Sequence, residues 1–320
     1  MNILIFGKDG QLGRAFQEQI KYLVFQRGNT IRFVGRNECD LKDPSQITNL
    51  LHAFNPQLII NAAAYTAVDR AEAESDLAFA INTQAPEVMA IYAARKGATL
   101  LHFSTDYVFD GFKKSSYTER DATNPLCIYG KSKEAGERAI IDAFNNGPGQ
   151  YAILRTSWVY GDGSNFISTI LRLAKERSEL RVIHDQYGVA TSAKWLAEVG
   201  CYLTVDNNKL RLFRSGIYHA VPRGEISWHG LAYLVVQTAM DAGITLQASS
   251  DSIVPISSSD YPRSAPRPMN SRLATDKLQF ELERLGIVSK LPHWSTPWDE
   301  QVIAYIKQVS SDQLNAPLNK

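Results

Sequence analysis

The sequence has few cysteines, little net charge and no long apolar run. Its three cysteines, Cys39, Cys127 and Cys201, stand far apart in 320 residues, which argues against a disulfide framework and favours a reducing compartment. No apolar run approaches the roughly 18 residues of a membrane span. With 34 basic and 33 acidic side chains, the net charge of +1 indicates neither a nucleic-acid footprint nor a membrane-surface patch. We expect a soluble cytoplasmic protein whose partner is a small molecule, with no nucleic acid and no membrane among its partners.

Three glycines follow the first apolar run. Residues 2–6 are predicted to form a strand, and Gly7, Gly10 and Gly13 come directly after it at Gly-x-x-Gly-x-x-Gly spacing, before a helix-like segment. Glycine permits a tight turn, lets the backbone approach a pyrophosphate and packs the helix against the strand, while the helix N-terminus favours phosphate charge. This position predicts a dinucleotide-binding loop, with an ordinary loop as the alternative.

The residue after the second strand separates the two nicotinamide cofactors. An acidic side chain there accepts a hydrogen bond from the ribose 2′-hydroxyl of NADH, whereas a basic side chain suits the 2′-phosphate of NADPH. Residues 31–35 are predicted to form this strand, Arg36 follows it, and Glu38 is the first acid. The order favours NADPH, with NADH as the second choice. A solvated loop charge is the alternative interpretation of Arg36.

Two further segments are candidates for the cofactor site. Asp40 and Leu41 precede a helix predicted near residues 44–54, and an aspartate at that point commonly reaches the adenine. The small residues Ala62–Ala64 follow a predicted strand at 58–61, where the chain would pass the pyrophosphate and ribose. Small side chains permit close approach to a ligand, although an alanine run is more often plain packing.

Strand and helix patterns alternate along the first half of the chain. Buried strands are predicted at residues 58–61, 97–103 and 151–155, with helical segments between them. This alternation predicts an α/β fold built on a doubly wound parallel Rossmann sheet. We expect an NAD(P)-binding domain over residues 1–155, to which later segments can return, and a smaller α/β substrate-binding domain, interleaved with it, mainly over residues 156–320.

A tyrosine and a lysine with catalytic spacing follow the strand at 97–103. Ser104, Thr105 and Asp106 follow the carboxyl end of this strand, which is where active-site loops begin in parallel sheets. A helix is predicted to open at Tyr129, which places Tyr129 and Lys133 on one face. A phenol beside an ammonium is a proton donor with a lowered pKa, because the charge favours the phenolate left when a carbonyl becomes an alcohol. Alone, the spacing is weak evidence, because it also occurs by chance.

A stretch rich in serine and proline spans residues 249–271 and ends with three arginines, Arg263, Arg267 and Arg272. One interpretation is a linker. The other is a substrate loop whose arginines bind a diphosphate through charge-assisted hydrogen bonds.

Seven segments together resemble one family of extended short-chain dehydrogenases, the dTDP-4-dehydrorhamnose reductases. In chain order they are GKDGQLG, NAAAYTAVD, STDYVFDG, PLCIYGKSKEAGE, RTSWVYG, DQYGVATSA and RPMNSRL, and the likeness runs from residue 1 to about residue 300. RTSWVYG and DQYG are more specific than the glycines, because other extended short-chain dehydrogenases share the cofactor half but not these segments.

The resemblance implies reduction of the 4-keto group of dTDP-4-dehydro-L-rhamnose to give dTDP-L-rhamnose. It implies that Tyr129 protonates the nascent alkoxide, that Lys133 holds the nicotinamide ribose and depresses the Tyr129 pKa, and that Thr105 hydrogen-bonds the same oxygen. With Arg36 added, the expected cofactor residues are Gly7, Gly10, Gln11, Leu12, Gly13, Arg36, Asp40, Leu41, Ala62, Ala63, Ala64, Tyr129 and Lys133. The implied substrate residues are Val68, Asp69, Thr105, Asp106, Tyr107, Trp158, Gln186 and Tyr187.

The chain departs from the family at a metal site. Some members dimerise round a magnesium ion held by three glutamates, and this chain has Ala15, Lys194 and Ser295 at those positions. A hard divalent cation needs oxygen ligands, and Glu18 could replace at most one glutamate. We expect no metal and no metal-bridged homodimer.

Two other functions remain open. A nucleotide-sugar epimerase or dehydratase on the same scaffold retains bound NAD, and a dehydratase often places an acidic pair after the position of Thr105. Here only Asp106 is acidic, since Tyr107 follows it. A non-catalytic regulatory subunit, similar to that of methionine adenosyltransferase, is the other alternative, and the TSWV and DQYG segments argue against it.

Overall fold

A computed structural model of the chain shows strands and helices in alternation, and the structure describes residues 1–23, 29–145, 147–207 and 209–315. The strands are β1 (Asn2–Phe6), β2 (Thr30–Val34), β3 (Leu58–Asn61), β4 (Thr99–Thr105), β5 (Gln150–Thr156), β6 (Val159–Tyr160), β7 (Leu180–Ile183), β8 (Tyr187–Gly188), β9 (Thr191–Ser192), β10 (Val205–Asp206), β11 (Lys209–Leu210), β12 (Gly216–His219), β13 (Ile226–Ser227) and β14 (Ile253–Ile256).

The helices lie between these strands and near the end of the chain. They are α1 (Gln11–Leu23), α2 (Pro44–Phe54), α3 (Val68–Ala71), α4 (Ser75–Phe79), α5 (Ala85–Lys96), α6 (Ile128–Phe144), α7 (Phe166–Glu176), α8 (Ala193–Thr204), α9 (Trp228–Asp241), α10 (Asp276–Arg284) and α11 (Trp298–Asn315), with a π-helical turn at Ala80–Gln84. In the described residues, no helix has both the length and the apolar character needed to span a membrane.

Six strands form one parallel sheet in the order β12, β5, β4, β3, β1, β2. The order reverses between β1 and β3, since β2 lies on one side of β1 and the later strands lie on the other. In sheets of this kind, ligands bind beyond the carboxyl ends of the strands at the point of reversal. The predicted doubly wound Rossmann sheet is confirmed, and it places a ligand site next to the ends of β1 and β3.

Helices cover both faces of this sheet. Along β1, Ile3 and Ile5 pack with α1, α8 and α10, whereas Leu4 and Phe6 pack with α2, α5 and α6. Because successive side chains of a strand point to opposite faces, an apolar run such as β3 is buried throughout. Elements from beyond residue 155, namely β12, α8 and α10, complete the sheet and one of its layers. The boundary between the two domains at residue 155 stays a prediction.

A second core forms around three helices. Buried apolar side chains of α7, α9 and α11 pack with those of β7 and β14. Strand β14 lies inside the segment 249–271 and pairs in parallel with β7. The linker interpretation is therefore wrong for this part of the segment, because its backbone belongs to a sheet.

Two local predictions need correction. Strand β4 continues through Ser104 and Thr105, which pair with Arg155 and Thr156 of β5, so these residues end the strand and do not lie beyond it. A single helical segment was expected between the strands predicted at residues 58–61 and 97–103. Instead this part of the chain contains α3, α4, the π-helical turn and α5.

Candidate active site

A cleft of about 880 Å³ opens at the carboxyl ends of the central strands. It is lined by the turn after β1, by the residues after β2 and β3, and by the ends of β4 and β5. Parallel strands bring all these ends to one edge of the sheet, which is where the reversal of strand order places a ligand. Most of the predicted site residues line this cleft: Gly7, Gly10, Gln11, Leu12, Arg36, Asp40, Leu41, Ala62, Ala63, Ala64, Val68, Thr105, Asp106, Tyr107, Tyr129, Lys133 and Trp158.

The glycine turn packs closely against the chain after β3. Gly7 has a φ of 88°, and a Cβ on it would lie 2.7 Å from the nitrogen of Ala63 and 2.8 Å from the oxygen of Ala62. A Cβ on Gly13 would overlap the carbonyl oxygen of Gly7. Gly13 is not among the residues that line the cleft, so it shapes the turn by letting α1 approach β1.

Several residues that line this cleft carry a buried polar atom without a partner in the described part of the chain, and two of them are Gln11 and Ser104. Gln11 and Ser104 both line the cleft, and within the described ranges the oxygens Gln11 Oε1 and Ser104 Oγ have no hydrogen-bond partner. The amide nitrogen of Gln11 is held, because it donates to the carbonyl oxygen of Ser164 at 2.8 Å. A buried polar group without a partner is costly, so these atoms suit a polar ligand in the cleft. Together with the glycine turn they fit a dinucleotide.

The cofactor-discriminating end of β2 carries both signs of charge. Glu38 accepts hydrogen bonds from the Lys8 ammonium and, at 2.9 Å, from the backbone N–H of Gly35. Arg36 is exposed, lines the cleft and forms no ion pair with another described residue. Glu38 is thus paired with Lys8, and the Asp9 carboxylate also lies beside Gly35 at this strand end, while the Arg36 guanidinium remains available to an anionic group.

Tyr129 lies near the start of α6, with its ring edge-on to Tyr107 at a centroid distance of 5.5 Å. Burial raises the pKa of Tyr129 above its usual range, and the opposing effect of the Thr105 hydroxyl is smaller. Lys133 is not among the groups that influence this pKa. The expected lowering of the Tyr129 pKa by Lys133 is therefore wrong for this geometry, because desolvation outweighs the other effects.

Lys133 lies one turn further along α6 and is only 1% exposed. Its Nζ donates to the carbonyl oxygen of Phe103 at 2.7 Å and lies 3.2 Å from Nε2 of His102. Burial lowers the pKa of Lys133 to about 8, and the Glu137 carboxylate opposes this shift. The ammonium therefore faces strand β4, which explains why it does not act on the phenol of Tyr129.

Thr105 and Asp106 form a second pair in the cleft. Thr105 Oγ1 donates to Asp106 Oδ1 at 3.0 Å and accepts the backbone N–H of Tyr107 at 3.2 Å. Asp106 is 2% exposed, and burial raises its pKa to about 6, against the opposing effects of the Ser271 and Thr105 hydroxyls. A hydroxyl has one hydrogen, so Thr105 donates either to Asp106 or to a ligand, but not to both.

Two tryptophan rings, those of Trp158 and Trp228, are part of the cleft lining. Trp158 has a φ of 46°, a left-handed conformation that is rare for a bulky residue and occurs mostly at functional sites. Its ring stacks on that of Trp228 with centroids 3.6 Å apart and planes inclined by 15°. Sequence reasoning missed Trp228, because it lies 70 positions further along the chain and no local pattern marks it.

Three predicted substrate residues lie away from the cleft lining. Asp69 is bound by Arg267 and by Ser264, and the Arg267 guanidinium holds the pKa of its carboxyl well below the usual range. Gln186 is buried, and Tyr187 is exposed, with its backbone paired to residues 269–271. Their roles toward a substrate stay predictions.

The arginines of the segment 249–271 have protein partners. Arg267 binds Asp69, and Arg272 contacts Glu225 at 3.0 Å and the backbone oxygen of Lys114. Arg263 lies 3.9 Å from the same Asp69 carboxylate. Intramolecular ion pairs therefore engage the arginines that the substrate-loop interpretation would assign to a diphosphate.

Asn82 joins the cleft wall to the catalytic helix. Located in the π-helical turn and 1% exposed, it donates to the backbone oxygen of Tyr65 and to Ser132 Oγ, both at 3.0 Å, and accepts the N–H of Tyr65 at 2.8 Å. Ser132 in turn donates to the carbonyl oxygen of Tyr129. A buried asparagine inside a predicted helix was the available signal for this role, and its partners lie too far away in sequence to be inferred.

The positions of the family's magnesium ligands hold no carboxylate. Ala15 is buried in α1, and Lys194 and Ser295 are exposed. In the portion of the chain that the structure describes, there is no group of three or more histidine, cysteine, aspartate or glutamate side chains placed to hold a metal. The absence of a metal-bridged dimer stays a prediction.

Comparison with known proteins extends these observations to a family. A family model described as the RmlD substrate binding domain matches residues 1–309. The dTDP-4-dehydrorhamnose reductase of Salmonella typhimurium is 43% identical over 299 residues, which cover 92% of this chain and 94% of that protein.

Two solved structures are similar over nearly the whole chain. One is a dTDP-4-dehydrorhamnose reductase from Clostridium acetobutylicum, with a TM-score of 0.80, 33% identity and coverage of 97% of this chain and 99% of that one. The other is the Bacillus anthracis dTDP-4-dehydrorhamnose reductase in complex with NADP, with a TM-score of 0.80, 30% identity and coverage of 96% and 99%. The chain therefore belongs to the RmlD family of dTDP-4-dehydrorhamnose reductases.

Proposed function

We propose that this protein is an NADPH-dependent reductase that converts the 4-keto group of dTDP-4-dehydro-L-rhamnose to the alcohol of dTDP-L-rhamnose. The observation that carries the proposal is that Tyr129, Thr105 and Lys133 meet the glycine turn and the alanine wall in one cleft. A proton donor and a dinucleotide site side by side are what ketone reduction by a nicotinamide requires.

The cofactor residues are the glycine turn, Gln11, Leu12, Asp40, Leu41 and Ala62–Ala64, with Arg36 at the edge of β2. The mixture of small side chains, unpaired polar atoms and one exposed arginine fits a dinucleotide with a 2′-phosphate. When bound there, the cofactor supplies a hydride to the substrate carbonyl carbon. The relative crystallised with NADP supports this cofactor.

Tyr129 gives its phenolic proton to the carbonyl oxygen of the substrate. Burial makes the free phenolate costly, so Tyr129 stays protonated until negative charge develops on that oxygen. Thr105 stabilises the same oxygen with its hydroxyl hydrogen when Asp106 releases it. Both donors bind the developing alkoxide more strongly than the ketone, which is how they lower the barrier.

Lys133 provides a buried positive charge near the cofactor ribose. With a pKa of about 8 it is mostly an ammonium at neutral pH. It binds the ribose hydroxyls and so holds the nicotinamide ribose in the cleft. Val68, Tyr107 and the stacked pair Trp158 and Trp228 form the apolar surface on which the sugar rests.

The alternative functions have less support. The relatives named above are reductases, and one of them is crystallised with NADP. Only one acid follows Thr105, whereas dehydratases often have a pair. The donors and the cofactor turn share one cleft, as an enzyme requires and a binding subunit does not.

A spectrophotometric assay tests the proposal. Purified protein with dTDP-4-dehydro-L-rhamnose is expected to oxidise NADPH, and dTDP-L-rhamnose should appear in equal amount. Tyr129→Phe should lower kcat by about 100-fold or more, with an unchanged circular dichroism spectrum. Tyr151→Phe, on β5, is the control for loss of a phenol elsewhere. A wild-type protein that binds the sugar nucleotide but oxidises no NADPH would contradict the proposal.

A further inference from the structure

His102 lies in the middle of β4 and is only 1% exposed. Its Nε2 is 3.2 Å from Nζ of Lys133, and its Nδ1 is 3.1 Å from Nδ2 of Asn61. Asn61 also accepts the backbone N–H of Ala63 at 3.2 Å, through Oδ1. A buried line of contacts thus runs from the alanine wall of the cleft through Asn61 and His102 to Lys133.

The histidine is neutral in this environment. Burial, and then the neighbouring Lys133 charge, lower the pKa of His102 well below its usual value. A neutral imidazole has one N–H and one bare nitrogen, so only one of its nitrogens can accept a hydrogen bond. An ammonium has three hydrogens and no lone pair, and beside a charged Lys133 the bare nitrogen must therefore be Nε2.

The arrangement of acceptors around Lys133 determines where its third hydrogen points. The carbonyl oxygen of Phe103 takes one hydrogen at 2.7 Å, and His102 Nε2 is placed to take a second. Lys133 itself lines the cleft, so the remaining hydrogen is directed there. Without His102, two of the three ammonium hydrogens would lack a protein acceptor and would compete for one ligand in the cleft. The ammonium could then rotate.

Asn61 completes the arrangement. With Nε2 bare, the hydrogen of His102 is on Nδ1, where it faces the amide nitrogen of Asn61, which is also a donor. Asn61 can accept this hydrogen only if its amide turns so that the oxygen faces His102. That same oxygen is the acceptor for the Ala63 N–H. The orientation of the Asn61 amide, the tautomer of His102 and the charge on Lys133 are therefore linked.

We propose that His102 is a positioning residue that orients the Lys133 ammonium so that one of its hydrogens points into the cofactor cleft. This inference rests on the proposed function insofar as Lys133 serves the reaction, but the geometry also predicts an effect on cofactor binding alone. His102 does not line the cleft, so it acts through Lys133.

Three substitutions of His102 separate positioning from packing. His102→Gln can place an amide oxygen where Nε2 lies and still accept from Lys133. His102→Asn reaches only the Nδ1 position, and His102→Leu keeps the bulk without either contact. We expect His102→Leu and His102→Asn to lower kcat by about 10- to 100-fold while the sugar KM changes less than about threefold, since small misplacements of a catalytic group are costly. His102→Gln should recover most of the loss.

The pH profile gives a second readout. Loss of the His102 acceptor disfavours the ammonium form of Lys133 and so lowers the Lys133 pKa. The alkaline limb of the kcat–pH profile should therefore move to lower pH in His102→Leu and stay in place in His102→Gln. The other ionisable groups around Lys133 are Tyr129 and Glu137 on α6 and Asp106 beyond β4, with Glu137 paired to Arg155 of β5. They are unchanged in all three variants, so they cannot produce a difference between Leu and Gln.

NADPH binding distinguishes a failure of this inference from a failure of the proposed function. Fluorescence titration without sugar should show that His102→Leu binds NADPH more weakly than wild type and loses this binding at a lower alkaline pH. His102→Gln should bind NADPH nearly as wild type does.

The inference would be overturned if His102→Leu folds and keeps the wild-type kcat, NADPH affinity and alkaline limbs of both pH profiles. It would also be overturned if His102→Gln is no more active than His102→Leu. If wild type binds NADPH but reduces no 4-keto sugar, the proposed function fails and the binding titrations still decide the role of His102. If His102→Leu does not fold, the comparison of Gln with Asn remains.

Discussion

Arg267 donates two hydrogen bonds to Asp69, from Nη1 to Oδ1 at 3.0 Å and from Nη2 to Oδ2 at 2.7 Å. The two residues are 198 positions apart. Asp69 belongs to α3, whose first residue, Val68, lines the cleft, and Arg267 belongs to the segment rich in serine and proline. This pair therefore attaches that segment to the wall of the active-site cleft.

Arg267→Lys and Arg267→Met should both loosen the attachment, because a lysine lacks the planar fork that binds both carboxylate oxygens. We expect faster hydrogen exchange in residues 258–267 and a sugar KM raised several-fold, with little change in kcat. Hydrogen-exchange mass spectrometry and steady-state kinetics measure these effects. Arg172→Met, which breaks an exposed ion pair with Glu176 on α7, is the control and should change neither. Unaltered exchange in Arg267→Met would contradict the prediction.

Asp106 should produce a pH dependence of the reduction near pH 6, because burial raises its pKa to about 6. Its carboxylate raises the pKa of Tyr129 and holds the Thr105 hydrogen. Protonation removes both effects, so kcat/KM should rise as the pH falls through about 6. Asp106→Asn should lack this transition.

Asp121→Asn is the matched control for Asp106→Asn, since the Lys113 ammonium lowers the pKa of Asp121 to about 2, outside this range. That variant should keep the wild-type profile. Identical profiles for wild type and Asp106→Asn would assign the transition to another group and contradict the prediction.

Lys133 should make the protein more stable at alkaline pH. Its pKa is about 8 in the folded state and near 10.5 when unfolded, so between these values the unfolded chain binds more protons. The free energy of unfolding should therefore increase by about 2 kcal/mol from pH 8 to pH 10 through this residue. Lys133→Met should lack the increase, and urea titrations at both pH values measure it. Lys131→Met, an exposed lysine on the same helix, is the control for loss of a lysine. Equal pH slopes in Lys133→Met and wild type would contradict the prediction.

Arg36 should discriminate between the two nicotinamide cofactors. Removal of its guanidinium in Arg36→Ala takes away a charge-assisted bond to the 2′-phosphate, so the KM for NADPH should rise about tenfold while that for NADH stays nearly constant. Arg32→Ala removes an exposed arginine from β2 that does not line the cleft, and it should alter neither constant. A proportional rise for both cofactors in Arg36→Ala would show that Arg36 does not contact the phosphate.

The cofactor half of the site was the easiest part to predict. The glycine turn and Ala62–Ala64 each follow a strand directly, and parallel strands end at a common edge, so their proximity follows from their order in the chain. The substrate half was harder. Trp228 lines the cleft from a distant segment, and the contact of Asp69 with Arg267 joins residues that are 198 positions apart.

The sequence by itself determined the doubly wound sheet, the dinucleotide turn and the presence of a Tyr-x-x-x-Lys helix, because strand periodicity, glycine spacing and helical spacing are local properties of a chain. Only the tertiary structure decided the electrostatic state of these residues. Desolvation and long-range contacts raise the pKa of Tyr129, lower that of Lys133 and turn the lysine toward Phe103 and His102. Such effects depend on which groups surround a side chain in space, and that depends on how distant segments pack.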